Sequence, residues 1–158
     1  MPTLEQVRDY LSRFDLKVLE YDQATPTVAD AARVVGCSEA EIGKTLLFRI
    51  GETPVAVLAA GDRKVASGRL KAAAGLSGKV RMVPPEQVEE LVGYPPGGVC
   101  PFLLPETLPL LLDSSLRRFG VVYPAAGTRA SAVAVPVARL EQVTGGRWVD
   151  LDPVENHG

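Results

Sequence analysis

The sequence predicts an α+β fold in which a mixed, mostly antiparallel sheet or open barrel is surrounded by helices. Three observations lead to this prediction. Short apolar strand patterns recur along the chain, amphipathic helical patterns lie between them, and no internal repeat or low-complexity segment is present. The 158 residues are enough for one domain with a full core, so we expect residues 1–158 to form a single domain.

The first half of the chain is predicted from apolar periodicity and helix caps. Thr3 and Thr27 are suitable N-cap residues, and Ser38 with Glu41 forms a capping box. Gly36 is a typical helix end. The predicted elements are, in order, a helix over 3–14, a strand over 17–21, a helix over 27–35, a short helix from 38 to about 43, a strand over 45–50, a turn at 51–53 and a strand over 54–60.

The second half alternates in the same way, with Gly and Pro marking the boundaries. Gly75 ends one helix, Pro84 and Pro85 open the next, and Gly145 ends the last. The predicted elements are helices over 67–74 and 85–92, strands over 79–83 and 109–113, a short bridge around 99–100, helical turns over 114–119, strands over 121–125 and 132–137, a helix over 137–143 and a strand over 147–151.

The segment 93–101 is the most unusual part of the sequence. Three prolines and three glycines exclude a helix interior and disfavour a central strand. The segment is apolar, whereas a flexible linker would carry Ser and charged residues. The bare amides of Gly97 and Gly98 suit it to hold a small polar group, although an ordinary Pro/Gly connection explains the same composition.

Composition excludes several function classes. Hydrophobic residues make up 46% and charged residues 23%, as in ordinary globular proteins. The one histidine, His157, lies near the end, and Cys37 and Cys100 have no metal-site spacing, so a zinc site or a Ser-His-Asp or Cys-His nucleophile is not expected. No apolar run approaches the roughly 20 residues of a membrane helix. Without a signal pattern, a cytoplasmic location is expected.

The charge distribution is uneven although the formal net charge is only −2. Residues 62–81 contain six bases and one acid, and Arg117, Arg118 and Arg129 form a second basic group. If both groups share one face, they form a phosphate-contacting surface; otherwise they are solvated charges that keep the protein soluble.

Three segments, taken together and in this order, carry a family resemblance. They are Glu41 to Phe48, with Lys44 followed by Thr45; Gly97 to Pro101, in which glycine and proline are separated by three residues; and Asp113 to Leu116, followed by Tyr123 to Gly127. They resemble the YbaK/ProX-type aminoacyl-tRNA editing domain, which also occurs inserted in bacterial prolyl-tRNA synthetases. The resemblance covers about residues 16–145.

The resemblance implies a deacylase that removes a wrong amino acid from the 3′ acceptor end of a tRNA, without a metal or other cofactor. The catalytic residues implied are Lys44, Gly97 and Gly98. An aminoacyl-tRNA synthetase is a candidate partner, and no membrane is implied. The resemblance does not identify the edited amino acid, for which Ala, Cys and Ser are candidates. It also leaves open whether the carrier is tRNA(Pro). The implied substrate-binding residues are Tyr21, Thr45, Val99, Cys100, Pro101, Asp113 and Gly127, and Thr27 matches the helix-start Thr.

Several residues have a structural alternative. Lys44 is also explained as a solvated cation at a helix C-terminus, and Asp113 as an N-cap, a role compatible with orienting Lys44 or a water. Thr45 is also explained as an ordinary strand residue. Cys100 has no base beside it, so we expect a small buried side chain in the pocket wall rather than a nucleophile.

Two departures from the family pattern leave other functions open. Gly43 stands where a larger apolar residue is common, and Ala66 and Ser67 stand where many members carry an acid. These departures are compatible with a catalytically weak module that binds tRNA or a synthetase. The acidic net charge is compatible with a hydrolase acting on small esters instead of tRNA.

Overall fold

The computed structural model describes residues 2–22, 25 and 27–151. Its α-helices are α1 (Leu4–Ser12), α2 (Val28–Val35), α3 (Ser67–Ala74), α4 (Pro85–Val92) and α5 (Leu140–Thr144). Its strands are β1 (Val18–Glu20), β2 (Ile42–Ile50), β3 (Thr53–Ala60), β4 (Val80–Met82), β5 (Leu110–Asp113), β6 (Val121–Pro124), β7 (Ser131–Val133), β8 (Val135–Pro136) and β9 (Arg147–Val149). Short 3₁₀ helices cover Glu39–Glu41, Ser114–Arg118 and Val137–Arg139.

A mixed sheet lies at the centre of the fold. Its strands run in the order β8-β6-β2-β3-β5-β9, β4 also pairs with β2, and β1 pairs with β7 in a separate sheet. Within the described residues, the antiparallel pairings are β1–β7, β2–β3, β2–β4 and β6–β8, whereas β2–β6, β3–β5 and β5–β9 are parallel. The predicted α+β class, with a mixed and mostly antiparallel sheet among helices, is confirmed.

The β2–β3 hairpin is buried on both faces, and this explains its nearly continuous apolar sequence. Leu47 and Leu58 belong to one hydrophobic cluster, whereas Phe48 and Val57 belong to a second cluster. Because successive side chains of a strand point to opposite faces, the two clusters lie on opposite sides of the sheet.

The predicted helix caps are present. The Thr3 hydroxyl accepts a hydrogen bond from the Gln6 amide at 3.2 Å, and the amide of Asp30 donates to the Thr27 hydroxyl at 3.1 Å. Ser38 and Glu41 form the predicted capping box. Each cap satisfies amides that the first helical turn leaves without a partner.

Several predicted boundaries are wrong, in each case because strand pairing decides them. The third helix is a single 3₁₀ turn, and β2 starts at Ile42, which lies beside Tyr123 of β6, so Lys44 stands inside a strand. Residues 132–137 do not form one strand, because β7 pairs with β1 whereas β8 pairs with β6. The helix predicted over 137–143 begins as 3₁₀, and residues 99–100 form no bridge.

Two further observations complete the description of the fold. No helix in the described part of the chain is long and apolar enough to cross a membrane. His157 lies outside the described residues.

Candidate active site

The sheet opens at the middle of one edge of β2. At its start, β2 pairs with β6 through Ile42 and Gly43, and towards its end it pairs with β4 from Phe48 to Ile50. The Val83 amide donates to the Leu47 carbonyl at 2.9 Å and extends the β4 pairing by one residue. Residues 44–46 therefore have β3 on one side and, among the described residues, no strand on the other.

The peptide groups of Thr45 point into this opening. N–H and C=O groups of alternate residues in a strand point to the same side. The Leu47 carbonyl and the Gly51 amide both bond towards the β4 side, and these residues are two and six positions after Thr45. The Thr45 N–H and C=O therefore point away from β3 into the opening.

A cavity of about 300 Å³ occupies the opening. Its walls are formed by α2 and the residues before it, the first half of β2, the loop that follows α4, and parts of β6 and β7. The cavity brings together five of the ten predicted catalytic and substrate-binding residues, although they are far apart along the chain, and Thr27 also lines it. The five are Tyr21, Lys44, Thr45, Gly97 and Val99.

Lys44 brings a partly buried ammonium group to the cavity. Burial lowers the pKa of Lys44 below its ordinary value, because the ammonium is partly removed from water; nearby Asp62 opposes this effect and Lys64 adds to it. Within the described part of the chain, no residue forms a hydrogen bond or ion pair with this ammonium. The charge is therefore available to a ligand.

Two buried hydroxyls in the cavity have no protein partner. The hydroxyl oxygens of Tyr21 and Thr45 are inaccessible to solvent and make no hydrogen bond in the described structure. Burial raises the pKa of Tyr21, and the neighbouring Cys37 and Tyr123 add to this effect, so the phenol keeps its proton. Unsatisfied buried polar groups are rare in native proteins and concentrate at sites with a functional role, so these two hydroxyls distinguish this cavity.

The hydroxyls of Ser131 and Thr25, which also line the cavity, are already engaged. Ser131 accepts hydrogen bonds from the amides of Ala126 and Thr128 and donates to the Thr128 carbonyl. Thr25 donates its hydroxyl to the Arg129 carbonyl at 2.8 Å. These bonds hold the cavity wall and leave Tyr21 and Thr45 as the uncommitted pair of buried hydroxyls.

The segment 93–101, called the Gly/Pro loop below, contains a β-turn next to the cavity. The Gly98 amide donates to the Pro95 carbonyl at 2.9 Å, and Gly97 has a φ of 89°, as the third residue of a type II turn requires. The Gly98 N–H is thus already used, contrary to the expectation that it binds substrate. The N–H groups of Gly97 and Val99 bond to no described residue, and both residues line the cavity.

Gly98 and Gly127 allow two loops to pack closely. A Cβ on Gly98 would lie 3.0 Å from the backbone of Thr128, and a Cβ on Gly127 would lie 3.1 Å from the Tyr94 ring. Neither glycine lines the cavity. Their structural role is to seat the 95–98 turn against the turn after β6, which positions Gly97.

Three other predicted binding residues lie outside the cavity lining. Cys100 and Pro101 are buried, and burial raises the pKa of the Cys100 thiol to about 12, which keeps it protonated and weakly reactive.

Asp113 is also fully buried; it accepts hydrogen bonds from the Ser115 hydroxyl and the Leu151 amide at 2.5 and 2.8 Å. These bonds commit the Asp113 carboxylate to Ser115 and Leu151, although Asp113 does occupy the predicted N-cap position.

Asp62, which the sequence reading did not single out, is the carboxylate that acts on Lys44. The Arg118 guanidinium holds Asp62 through bonds of 2.6 and 3.1 Å and lowers the pKa of its carboxyl group. A Cβ on the preceding Gly61 would lie 2.1 Å from the Glu39 carbonyl oxygen, so glycine is needed where the turn that carries Asp62 packs against Glu39.

The departure at Gly43 has a structural reason. A Cβ at this position would lie 3.3 Å from the Leu58 side chain and 3.6 Å from the Pro124 backbone. The contact with Leu58 is tight, whereas the distance to Pro124 is an ordinary van der Waals contact, so the space that a larger side chain would need at Gly43 is occupied by Leu58. The second departure, Ala66, is the N-cap residue of α3 and makes no side-chain capping bond. The Ala66 amide donates a hydrogen bond to the Leu151 carbonyl.

Comparison with known proteins identifies the family. The family model described as the aminoacyl-tRNA editing domain matches residues 22–143. The chain therefore belongs to the aminoacyl-tRNA editing domain family, as its three motifs indicated.

Individual relatives agree with this assignment. The chain is 35% identical over 153 residues to YwhH of Bacillus subtilis (strain 168), covering 94% of this chain and 96% of YwhH. It is 32% identical over 91 residues to the proline–tRNA ligase of Aquifex aeolicus (strain VF5), covering 57% of this chain but 16% of the ligase. A solved structure described as a candidate trans-editing enzyme for prolyl-tRNA synthetase matches with a TM-score of 0.84 and 31% identity, covering 96% of this chain and 98% of that one.

Proposed function

We propose that this protein is a trans-editing aminoacyl-tRNA deacylase. It hydrolyses the ester that joins a wrongly attached amino acid to the 3′-terminal ribose of a tRNA, with Ala-, Cys- and Ser-tRNA as candidate substrates and tRNA(Pro) as a candidate carrier. The observation that carries the proposal is one cavity lined by Lys44, Tyr21, Thr45, Gly97 and Val99, whose ammonium, hydroxyl and amide groups have no protein partner among the described residues.

These groups suit hydrolysis of an activated ester. Water adds to the ester carbonyl carbon, the bond to the ribose oxygen breaks, and that oxygen leaves with a proton. The reaction needs positioning and stabilisation of negative charge more than a strong nucleophile. The N–H groups of Gly97 and Val99 are donors for the carbonyl oxygen, and Lys44 supplies positive charge to the oxyanion or to the terminal phosphate.

The cavity size supports a small aminoacyl group. Its volume of about 300 Å³ is at the lower end of the range found for small-molecule sites. The cavity wall contains apolar side chains, among them Val28, Ile42 and Val99. A small side chain with at most one polar group fits this lining.

Positive charge beside the cavity supports binding of the tRNA acceptor end. Lys64 lies close enough to Lys44 to influence its pKa. Arg129 packs against Gly97 and donates to the Pro96 carbonyl at 2.8 Å. Other bases of the sequence-predicted patches are engaged elsewhere, since Arg118 pairs with Asp62 and Arg117 lies over the Trp148 ring.

The test is deacylation of Ala-, Cys- and Ser-tRNA(Pro) by the wild type and by Lys44→Ala. We expect turnover of one or more of these, abolished in a variant whose circular dichroism matches the wild type. Binding of tRNA without turnover on any member would favour a binding module instead. Cleavage of free aminoacyl esters that is insensitive to salt and to charge reversal at Lys64 would favour a small-ester hydrolase.

A further inference from the structure

The cavity contains no acidic partner for the α-amino group of an aminoacyl ester. None of the described residues that line it is Asp or Glu. Three acids on the neighbouring elements are committed: Asp62 pairs with Arg118, Asp30 of α2 accepts from Thr27 and Arg33, and Glu41 accepts from Ser38. A protonated α-amine would enter without a counter-charge, and burying an unpaired charge is costly.

The charged and titratable groups around the cavity also disfavour an ammonium. Lys44 of β2 contributes a positive charge directly, and Lys64 adds to it from the turn after β3. Arg129 lies on the far side, against Gly97. Tyr21, before α2, and Tyr123, from β6, both line the cavity, and Cys37, after α2, lies close to Tyr21. Tyr21 and Cys37 have raised pKa values and remain neutral near pH 7.

The cavity does offer a hydrogen-bond acceptor to a neutral amine. The Thr45 carbonyl points into the opening because β2 has no described neighbour there. An amine N–H can donate to this oxygen, much as an N–H of an adjacent strand would donate to an open sheet edge.

We propose that the open edge of β2 at Thr45 binds the α-amine of the substrate in its neutral form, with the Thr45 carbonyl as the acceptor. This inference rests on the proposed deacylase function and adds the protonation state that the site selects. The α-amino group of a chain has a pKa of about 7.7–8.0, so at lower pH only a minority of the substrate is in the neutral form.

The experiment compares an aminoacyl-tRNA with its α-hydroxyacyl counterpart on the same tRNA. Alanyl-tRNA(Pro) and lactyl-tRNA(Pro) form one such pair, and seryl-tRNA(Pro) and glyceryl-tRNA(Pro) form another. The experiment uses a pair whose aminoacyl member is cleaved by the enzyme. The hydroxyl that replaces the amine donates a hydrogen bond but does not titrate in this range. The kcat/KM of each substrate is corrected for hydrolysis without enzyme. The ratio of aminoacyl to hydroxyacyl kcat/KM then cancels the pH dependence of the protein itself.

We expect the aminoacyl to hydroxyacyl ratio to rise about tenfold per pH unit below the amine pKa and to level off above it. A ratio that is constant or that falls as pH rises would overturn the inference while leaving the deacylase function standing. A hydroxyacyl-tRNA that is not cleaved at any pH would also overturn it, since a neutral donor should suffice. If neither member of any pair is cleaved, the proposed function itself fails, and the inference fails with it.

Discussion

The two halves of β2 show how one strand serves two purposes. From Phe48 to Ile50, β2 is paired on both edges, with β3 and with β4. From Lys44 to Leu46 it is paired on one edge only, and the other edge borders the cavity. Both halves have the same secondary structure, so the difference in role comes from the missing neighbour rather than from the conformation of β2.

Two tyrosines with buried hydroxyl groups show a similar contrast. The Tyr94 hydroxyl donates to the Phe102 carbonyl at 2.5 Å and ties the Gly/Pro loop together. The Tyr21 hydroxyl has no partner and lies at the cavity. A buried polar group with a protein partner supports the fold, whereas one without a partner costs stability and is retained at a site that binds something.

The largest effect on stability is expected in the fully paired half of β2. Phe48→Ala removes a buried ring and should lower the free energy of unfolding by about 3–5 kcal/mol. Urea unfolding measures this loss. Deacylation per folded molecule should stay near the wild-type value, because Phe48 does not line the cavity. A selective loss of activity in the folded fraction would show that the two halves are not separate.

In the half of β2 that borders the cavity, we expect a loss of activity without a loss of stability. Lys44→Gln is expected to reduce the deacylation rate by about 10²–10³, the usual cost of removing one charge-stabilising group, with no loss of stability. Arg49→Gln is the matched control on the same strand, because it also removes a positive charge but is not in the cavity lining. Equal losses in the two variants would assign the effect to general electrostatic attraction of tRNA.

Substitution of Tyr94 or Tyr21 should have smaller effects than substitution of Phe48 or Lys44. Tyr94→Phe should lower the free energy of unfolding by about 1–3 kcal/mol, because the buried Phe102 carbonyl loses its donor. Tyr21→Phe should leave stability unchanged or slightly increased, while kcat/KM falls by about three- to tenfold. The two variants are compared by urea unfolding and by deacylation. Destabilisation by Tyr21→Phe equal to that by Tyr94→Phe would contradict an uncommitted Tyr21 hydroxyl.

The smallest effect concerns the pH dependence of stability. The pKa of Lys44 is lower in the folded protein than in the unfolded chain, so the unfolded chain binds more protons between these two values. Stability should therefore rise with pH in that window, up to the ordinary lysine pKa, in the wild type relative to Lys44→Gln. Paired urea titrations between neutral and alkaline pH measure the difference. A constant difference would show that the Lys44 ammonium is not desolvated by folding.

Much of the local structure could be predicted from the sequence. The caps at Thr3 and Thr27 and the Ser38–Glu41 box involve residues three apart, so their chemistry is visible in a short window. Boundaries were predicted wrongly where pairing with a distant strand decided them. Lys44 was placed at a helix end because nothing local reveals that β6 pairs with Ile42 and Gly43.

The candidate site was predicted in part. Lys44 and Gly97 were found through motif and composition, and the structure places both at the cavity. Asp113 and Asp62 could not be distinguished by residue type, since each precedes a turn and each could orient a lysine. Only the folded chain shows that Asp113 is bonded to Ser115 and Leu151, whereas Asp62 is the acid that influences Lys44.

The sequence by itself determined the class of fold, the helix caps and the family, because these depend on neighbouring residues or on motif order. The tertiary structure alone decided which stretch of β2 lacks a neighbour and which hydroxyls are buried without partners. Those features depend on strand pairings between residues as far apart as Gly43 and Pro124, and on side chains packed from several elements at once.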